Sequence, residues 1–136
     1  MAGNSLPEVV RIRDEASLPD VRRAIDGHCR AIGFGLIDHT KLLTAASELA
    51  RNILLYAGSG SVSFEEIGGN SRIGLRMTFK DHGPGIGDLA LAMQDGYTTG
   101  TGMGLGLPGT KRLVHEFSID SVLGGGTRVS IVQWKR

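Results

Sequence analysis

The chain has 136 residues, a length that suits a single domain with a core of its own, and 40% of them are hydrophobic. Its formal net charge of +1 favours neither nucleic acid nor a membrane surface as a partner. The one cysteine, Cys29, excludes an internal disulfide, and no apolar run is long enough to span a bilayer. We therefore expect residues 1–136 to form one cytoplasmic domain that binds no nucleic acid and no membrane.

The first half of the chain predicts one strand and two helices. Residues 1–7 are expected to be disordered, and the apolar positions of Glu8–Arg13 predict a short strand. A first helix is predicted over residues 17–32, with a serine cap and a proline in its first turn. A second helix, capped by Asp38, is predicted to continue to about residue 57.

The second predicted helix has one wide apolar face and one mixed face. Glu48 and Asn52 lie four residues apart on the mixed face, one above the other, with Ala45 and Leu55 beside them. One carboxylate and one amide on a half-apolar surface favour a covered ligand site, although both side chains could simply be solvated. The residues expected to face the core are Leu42, Leu43, Ala46, Leu49, Ala50, Ile53 and Leu54.

Two strands joined by a glycine turn are predicted next, over residues 61–67 and 73–80. Asp81 follows the second strand, and Gly83 and Gly85 come directly after it. A carboxylate at a strand end, next to glycines that allow close backbone approach, is suited to binding the polar edge of a flat ligand. The alternative is a turn in which Asp81 bonds its own backbone.

The remaining elements complete an α/β fold of the α+β sandwich kind. Helices would pack on one face of a mixed, largely antiparallel sheet. The predicted order is a short helix over residues 86–95, a glycine-rich loop over 95–107, a helix over 108–117, a strand over 117–123, a turn over 124–126 and a strand over 127–134.

Glycine occupies every second position of the stretch Thr99–Leu107. Such a stretch suits neither a strand nor a helix, but its N–H groups can approach an anion closely. A helix that begins just after it would add its dipole and its free N–H groups. The stretch therefore indicates a phosphate-binding loop, with a flexible surface loop as the alternative.

Several other nucleotide- and metal-binding motifs do not fit this sequence. The spacing of Gly104, Gly106 and Gly109 matches a dinucleotide fingerprint, but no strand leads into it and no βαβ unit surrounds it. No Gly-Lys-Ser/Thr sequence of a P-loop occurs, and the four histidines have no metal-ligand spacing.

Four features in fixed order resemble the N, G1, G2 and G3 boxes of the gyrase, heat-shock chaperone, histidine kinase and MutL ATPase superfamily, which has the Bergerat fold. They are Glu48–Asn52, Asp81–Gly85, Gly100–Leu107 and Gly124–Thr127. The resemblance covers roughly residues 40–134. Four further runs resemble the RsbT-type switch kinases of bacterial stressosomes, and these are Ala46–Ile53, Tyr56–Gly58, Asp95–Tyr97 and Gly104–Leu113.

The resemblance implies a role for each box. Asp81 would accept the adenine amino group with Thr127 beside the ring, Asn52 would hold Mg²⁺, and Glu48 would orient or deprotonate the attacking hydroxyl. The implied ATP-binding residues are Asn52, Asp81, Gly83, Gly85, Ile86, Thr99, Gly100, Gly102, Met103, Gly104, Leu105, Gly106, Leu107 and Thr127.

The resemblance also implies an activity and partners. The chain would be a serine/threonine-protein kinase that uses Mg-ATP. It would phosphorylate STAS-domain antagonist (RsbS-like) and scaffold (RsbR-like) proteins of a stressosome, and then activate a PPM-type phosphatase (RsbU-like). The alternatives are an anti-sigma factor kinase of the same fold and an ATP-dependent binding module without transfer activity.

Overall fold

A five-stranded sheet is the scaffold of the chain in the computed structural model, which describes residues 7–87, Met93 and residues 106–135. The spatial order is β1-β2-β3-β5-β4, and all four strand pairings are antiparallel. The antiparallel α+β prediction is confirmed, although the described strands contain none of the parallel pairing of a mixed sheet. The strands are β1 Glu8–Ile12, β2 Gly60–Gly69, β3 Arg72–Asp81, β4 Glu116–Val122 and β5 Gly126–Trp134.

The helices pack on one face of this sheet. Alternate residues of the central strands point into one core with the helices, because side chains along a strand alternate between its two faces. No helix in the described parts of the chain is long and apolar enough to cross a membrane. The helical segments are a 3₁₀ turn Glu15–Ser17, α1 Leu18–Ile32, α2 Leu36–Asn52, a π turn Ile53–Ala57 and α3 Leu107–Leu113.

The first helical segment begins one turn earlier than the sequence predicts. Ser17, the expected cap of α1, has helical backbone angles and closes the 3₁₀ turn. Its hydroxyl accepts a hydrogen bond from the N–H of Arg13 and donates one to the Asp14 carboxylate. Asp14 caps this additional 3₁₀ turn, whereas Ser17 keeps the predicted N-cap position of α1 but makes no capping hydrogen bond with its side chain to that helix.

Asp38 also differs from its predicted role. It is the third residue of α2, which begins at Leu36, and it is 91% buried rather than exposed at the cap. Its Oδ1 accepts a hydrogen bond of 2.8 Å from Nε2 of Gln133, which is fully buried in β5. The carboxylate thus connects the helical layer to the sheet, a partnership across 95 residues of chain that local patterns do not reveal.

The third helix is shorter than predicted and ends at Leu113 rather than residue 117. The N–H of His115 donates to the carbonyl of Val132 and to Oε1 of Gln133, so the chain has already joined the sheet there. β4 consequently begins at Glu116. Tertiary hydrogen bonds decide this boundary, whereas the apolar spacing alone would allow another helical turn.

The hairpin between the second and third strands is confirmed, with its turn further along the chain. Gly68 and Gly69 pair with Ile73 and Arg72, so both glycines extend β2. The turn residues are those that follow, and Ser71 has a φ of 63°. The expected disordered start and the short helix over residues 86–95 lie mostly outside the described residues.

Cys29 belongs to the core. It is 1% exposed, and burial, with the nearby charges of Asp26 and Asp38, raises the pKa of its thiol to about 11. The thiol is therefore neutral near pH 7 and packs as a small apolar group.

Candidate active site

A cavity of about 240 Å³ lies between the sheet and the C-terminal part of α2. Three polar side chains, Asn52, Asp81 and Thr127, reach it from α2, the end of β3 and the start of β5. An apolar slot with a few polar groups at fixed places suits a flat heteroaromatic ligand. Its other lining residues are Leu49, Ile53, Tyr56, Ala57, Phe79, Pro84, Gly85, Ile86, Gly87, Leu107, Ile119 and Val129.

The Asp81 carboxylate is held in place through one of its oxygens. Oδ1 accepts hydrogen bonds from the N–H of Gly83 at 2.9 Å and from the N–H of Thr127 at 3.2 Å. The turn predicted as the alternative for Asp81 is thus formed, and the same side chain lines the cavity. Oδ2 has no hydrogen bond to another described residue, so it is available to a donor on a ligand.

Ser121 is a site residue that the sequence analysis missed. Its hydroxyl accepts a hydrogen bond of 2.7 Å from the N–H of Ile86, and it lies 2.9 Å from the hydroxyl of Thr127. Ser121 thereby ties the segment after β3 to the β4–β5 hairpin. The sequence could have indicated it, because Ser121 follows Ile119 by two residues in an alternating strand and so lies on the same, inward face.

Two glycines allow that hairpin to approach the end of β3. Gly126 has a φ of 98°, and a Cβ there would lie 2.2 Å from the carbonyl oxygen of Asp81. Gly85 has a φ of 77°, and a Cβ there would lie 2.3 Å from the carbonyl oxygen of Val122. Any larger residue would separate the two segments, so glycine is required at both positions for the hairpin to pack against the end of β3.

Glu48 and Asn52 lie one turn apart on α2, as the spacing predicts. Asn52 faces the cavity, whereas Glu48 lies beside Gly106 at the start of α3. A Cβ on Gly106, whose φ is 70°, would lie 2.5 Å from Cγ and Cδ of Glu48. The Glu48 side chain is 33% exposed and lies 3.7 Å from the Arg51 guanidinium. It is therefore packed against the end of the glycine-rich stretch rather than merely solvated.

The mixed face of α2 is more buried than the sequence suggests. Ala45, expected beside Glu48 on that face, is fully buried, and only Leu55 is exposed. The reason is that α3 packs against α2, so the helix is covered on a second side. That coverage encloses the Asn52 side of the helix.

The structure thus gathers eight of the fourteen predicted ATP-binding residues around one cavity or at its border with α3, where the predicted catalytic residue Glu48 also lies. Six others, Thr99, Gly100, Gly102, Met103, Gly104 and Leu105, lie outside the described residues. The eight residues are Asn52, Asp81, Gly85, Ile86, Leu107 and Thr127 at the cavity, Gly83 bonded to Asp81, and Gly106 beside Glu48.

The donor chemistry around Asn52 fits a magnesium ion that is carried mainly by a phosphate ligand. Among the described residues no group of three or more His, Cys, Asp or Glu side chains is placed to hold a metal. Mg²⁺ commonly binds one or two protein oxygens and completes its shell with phosphate oxygens and water. The amide oxygen of Asn52, at the cavity wall, is a suitable protein ligand for such an ion.

Comparison with known proteins agrees with this geometry. Residues 37–136 match the family described as histidine kinase-, DNA gyrase B-, and HSP90-like ATPases. The matched segment contains the whole cavity lining and Glu48. The chain belongs to this family of ATPases.

A relative of similar length shows which type of ATPase this chain is. The chain is 43% identical over 127 residues to the serine/threonine-protein kinase RsbT of Bacillus subtilis (strain 168), covering 93% of this chain and 96% of that protein. Within the ATPase family the chain belongs to the RsbT-type serine/threonine-protein kinases.

Solved structures of lower identity share the fold. One contains the RsbU and RsbW domains of Rv1364c from Mycobacterium tuberculosis, with a TM-score of 0.66 and 18% identity over 95% of this chain and 32% of that one. Another is the catalytic domain of the histidine kinase ThkA, with a TM-score of 0.52 and 13% identity over 93% of this chain and 95% of that one.

Proposed function

We propose that this chain is a switch kinase that transfers the γ-phosphoryl group of Mg-ATP to a serine or threonine of a STAS-domain partner. The observation that carries the proposal is the convergence of Asp81 and Asn52 on one apolar cavity, with Glu48 one turn before Asn52 on α2. The chain's 43% identity to a serine/threonine-protein kinase supports transfer to a hydroxyl.

In this proposal the cavity binds the adenine ring. Oδ2 of Asp81 accepts the amino hydrogen of the base, because Oδ1 is already occupied by two backbone N–H groups. Thr127, whose hydroxyl lies against Ser121, flanks the ring. The phosphates then extend past Asn52 toward Gly106, where α3 begins.

Asn52 and Glu48 would have different roles in phosphoryl transfer. Asn52 would hold the magnesium ion, which when bound neutralises charge on the phosphates. Glu48 lies one helical turn away, about 6 Å along the axis. Its carboxylate would orient the attacking hydroxyl and take its proton as the oxygen bonds to the γ-phosphorus and ADP leaves.

The proposal extends to partners and location. An antagonist and a scaffold protein with STAS domains would be the substrates, and a PPM-type phosphatase would be the later partner. The chain would act as one domain in the cytoplasm, within a stress-signalling complex. This part rests on the likeness of the chain to RsbT-type kinases.

The catalytic role of Glu48 is tested with Glu48→Gln. We expect ATP affinity to stay within about twofold, while transfer from Mg-ATP to the STAS-domain antagonist encoded nearest to this chain slows about 10²–10⁴-fold, the usual span for a positioned base. Single-turnover transfer is the readout, and Glu15→Gln, an exposed carboxylate of the 3₁₀ turn, is the control. Transfer at the parent rate would remove Glu48 from the chemistry.

A second variant tests the metal-ligand role of Asn52 separately from the catalytic-base role of Glu48. Asn52→Ala is expected to remove magnesium-dependent nucleotide binding and transfer together, since one side chain serves both. Titration calorimetry with and without Mg²⁺ measures the first effect. If the parent chain binds Mg-ATP but phosphorylates no partner, it is an ATP-dependent binding module instead.

A further inference from the structure

A second cavity, which we call the basic pocket, lies at the end of the first three strands. It has a volume of about 320 Å³, and three of its lining side chains are cationic, Arg11, Arg13 and Lys80, with His82 beside them. Its remaining lining residues are small, namely Ala57, Ser59, Gly60 and Ser61. None of these residues except Ala57 takes part in the nucleotide cavity described above.

The strand register places two of these cations, Arg11 and Lys80, in a row with Arg128 on the face of the sheet that the helices leave open. Arg11 pairs with Ser61, and Ser61 with Lys80. Lys80 pairs in turn with Arg128. Neighbouring strands are about 4.8 Å apart, so the row spans about 14 Å from β1 to β5. Ser61, the small residue between the first two cations, leaves space above the sheet.

The charge of the pocket is not neutralised by its surroundings. Arg11, Arg13 and Lys80 form no ion pair with a carboxylate of residues 7–87 or 106–135, whereas Arg76 and Arg128 each have one. The Asp14 carboxylate, next in sequence to Arg13, bonds the Ser17 hydroxyl.

Side chains alternate along β3, so the Asp81 carboxylate lies on the opposite face of the sheet from Lys80. In a chain whose net charge is only +1, this is a local excess of positive charge that favours an anionic partner.

We propose that the basic pocket binds an acidic, extended segment of a protein partner. Acidic side chains at alternate positions of an extended segment lie on one side, so a segment that crosses the strands presents its carboxylates together to the long, flexible side chains of the row. The row spans only about 14 Å, which is too short to follow a nucleic-acid backbone for long. The proposal rests on the proposed function in one respect, that this chain works on protein partners.

The basic pocket lies apart from the residues proposed for phosphoryl transfer. Ala57 lines both cavities, so the basic pocket adjoins the base-binding end of the nucleotide cavity. Glu48 and Gly106 lie at the other end, beside α3. A partner held here is anchored by charge at a distance from the hydroxyl that receives the phosphoryl group.

The test uses the full chain and a short fluorescein-labelled peptide of alternating glutamate and serine, followed by fluorescence anisotropy. Arg11→Glu/Lys80→Glu reverses two cations of the row. Arg22→Glu/Arg30→Glu reverses two exposed arginines of α1 and is the matched control for net charge. ATP affinity, measured by calorimetry in each protein, is the check on folding and is independent of this proposal.

We expect the parent chain to bind the peptide at about 20 mM salt and to lose at least about tenfold in affinity at about 300 mM salt, because exposed charges are screened. The Arg11/Lys80 reversal is expected to weaken binding at least about tenfold, and the α1 control by no more than about twofold. Equal weakening by both variants, no binding at low salt, or tighter binding of a single-stranded oligonucleotide than of the peptide overturns the proposal. Transfer activity and ATP binding can persist in each of those outcomes, so the proposed function is judged separately.

Discussion

The two oxygens of the Asp81 carboxylate have different surroundings. Oδ1 is fixed by the N–H groups of Gly83 and Thr127, which come from two separate segments of the chain. Oδ2 has no hydrogen-bond partner among the described residues, and the side chain lines the cavity. One oxygen thus sets the orientation of the side chain, and the other is left to recognise the ligand.

This division makes Asp81→Asn a sharp test of base recognition. The amide oxygen can replace Oδ1 and keep both backbone hydrogen bonds, so the fold is expected to survive. The amide nitrogen would replace Oδ2 and offer a donor to the adenine amino group, which is also a donor. A lost hydrogen bond to a charged group costs about 1.5–3 kcal/mol, so ATP affinity should fall about ten- to hundredfold in calorimetry.

The control for this substitution is Asp120→Asn, an exposed carboxylate of β4 that pairs with Arg128. It is expected to leave ATP affinity unchanged. If Asp81→Asn melts like the parent and binds ATP equally well, the ligand base does not contact this carboxylate.

At the scale of elements, the junction between α2 and α3 decides where the Glu48 carboxylate lies. Gly106 precedes α3 as its cap in a left-handed conformation, and its Cα faces the Glu48 side chain without room for a methyl group. Thr110 strengthens this junction, because its N–H and its hydroxyl both donate to the carbonyl of Gly106. Glycine is thus required there for both conformation and space.

Gly106→Ala is therefore expected to move the Glu48 carboxylate as well as strain the start of α3. We expect single-turnover transfer to fall at least about tenfold, with a stability loss of about 1 kcal/mol or more from the left-handed backbone. Gly109→Ala is the matched control, since a Cβ there meets nothing within 4 Å and the residue lies inside the same helix. Alanine at residue 109 should stabilise the helix by up to about 1 kcal/mol and leave transfer unchanged.

Equal transfer rates for the Gly106→Ala protein and the parent would mean that the position of Glu48 is not set by this contact. Thermal unfolding of both variants separates a local displacement from a general loss of structure.

The exchange of protein partners is a property of the whole molecule. A kinase that is held by its own substrate must bind it before transfer and release it afterwards. A phosphoserine carries about −1.5 to −2 charges at neutral pH, and it would form beside the Glu48 carboxylate and the phosphates of ADP. Like charges brought together at an interface cost several kcal/mol, so we expect binding of the phosphorylated antagonist to be weaker by about a hundredfold or more.

Surface plasmon resonance with unmodified and serine-phosphorylated antagonist measures this difference. The same immobilised kinase can be challenged with the PPM-type phosphatase, which is expected to compete with the unmodified antagonist. Equal affinity for both antagonist forms, or a complex that contains antagonist and phosphatase together, would rule out the switch and leave the kinase activity intact.

Local patterns in the sequence determined most of the elements and the residue types of the site. Alternation predicts the strands and helical spacing predicts α1 and α2, because these patterns depend only on neighbouring residues. The order of the boxes that contain Glu48, Asn52, Asp81 and Thr127 indicates the ATPase family. Strand order is a different matter. The placement of β5 between β3 and β4 depends on pairings between residues far apart in the chain, and no local pattern contains it.

Which side chains act together depends on the tertiary structure. The partnership of Asp38 with Gln133, the anchoring of Ile86 by Ser121, and the contact of Glu48 with Gly106 each join segments that are distant in sequence. The row of cations across the open face of the sheet has the same origin, since strand register alone brings its members together. The physical reason is that burial and hydrogen-bond partners are properties of the packed chain, whereas a sequence pattern records only what each segment can form by itself.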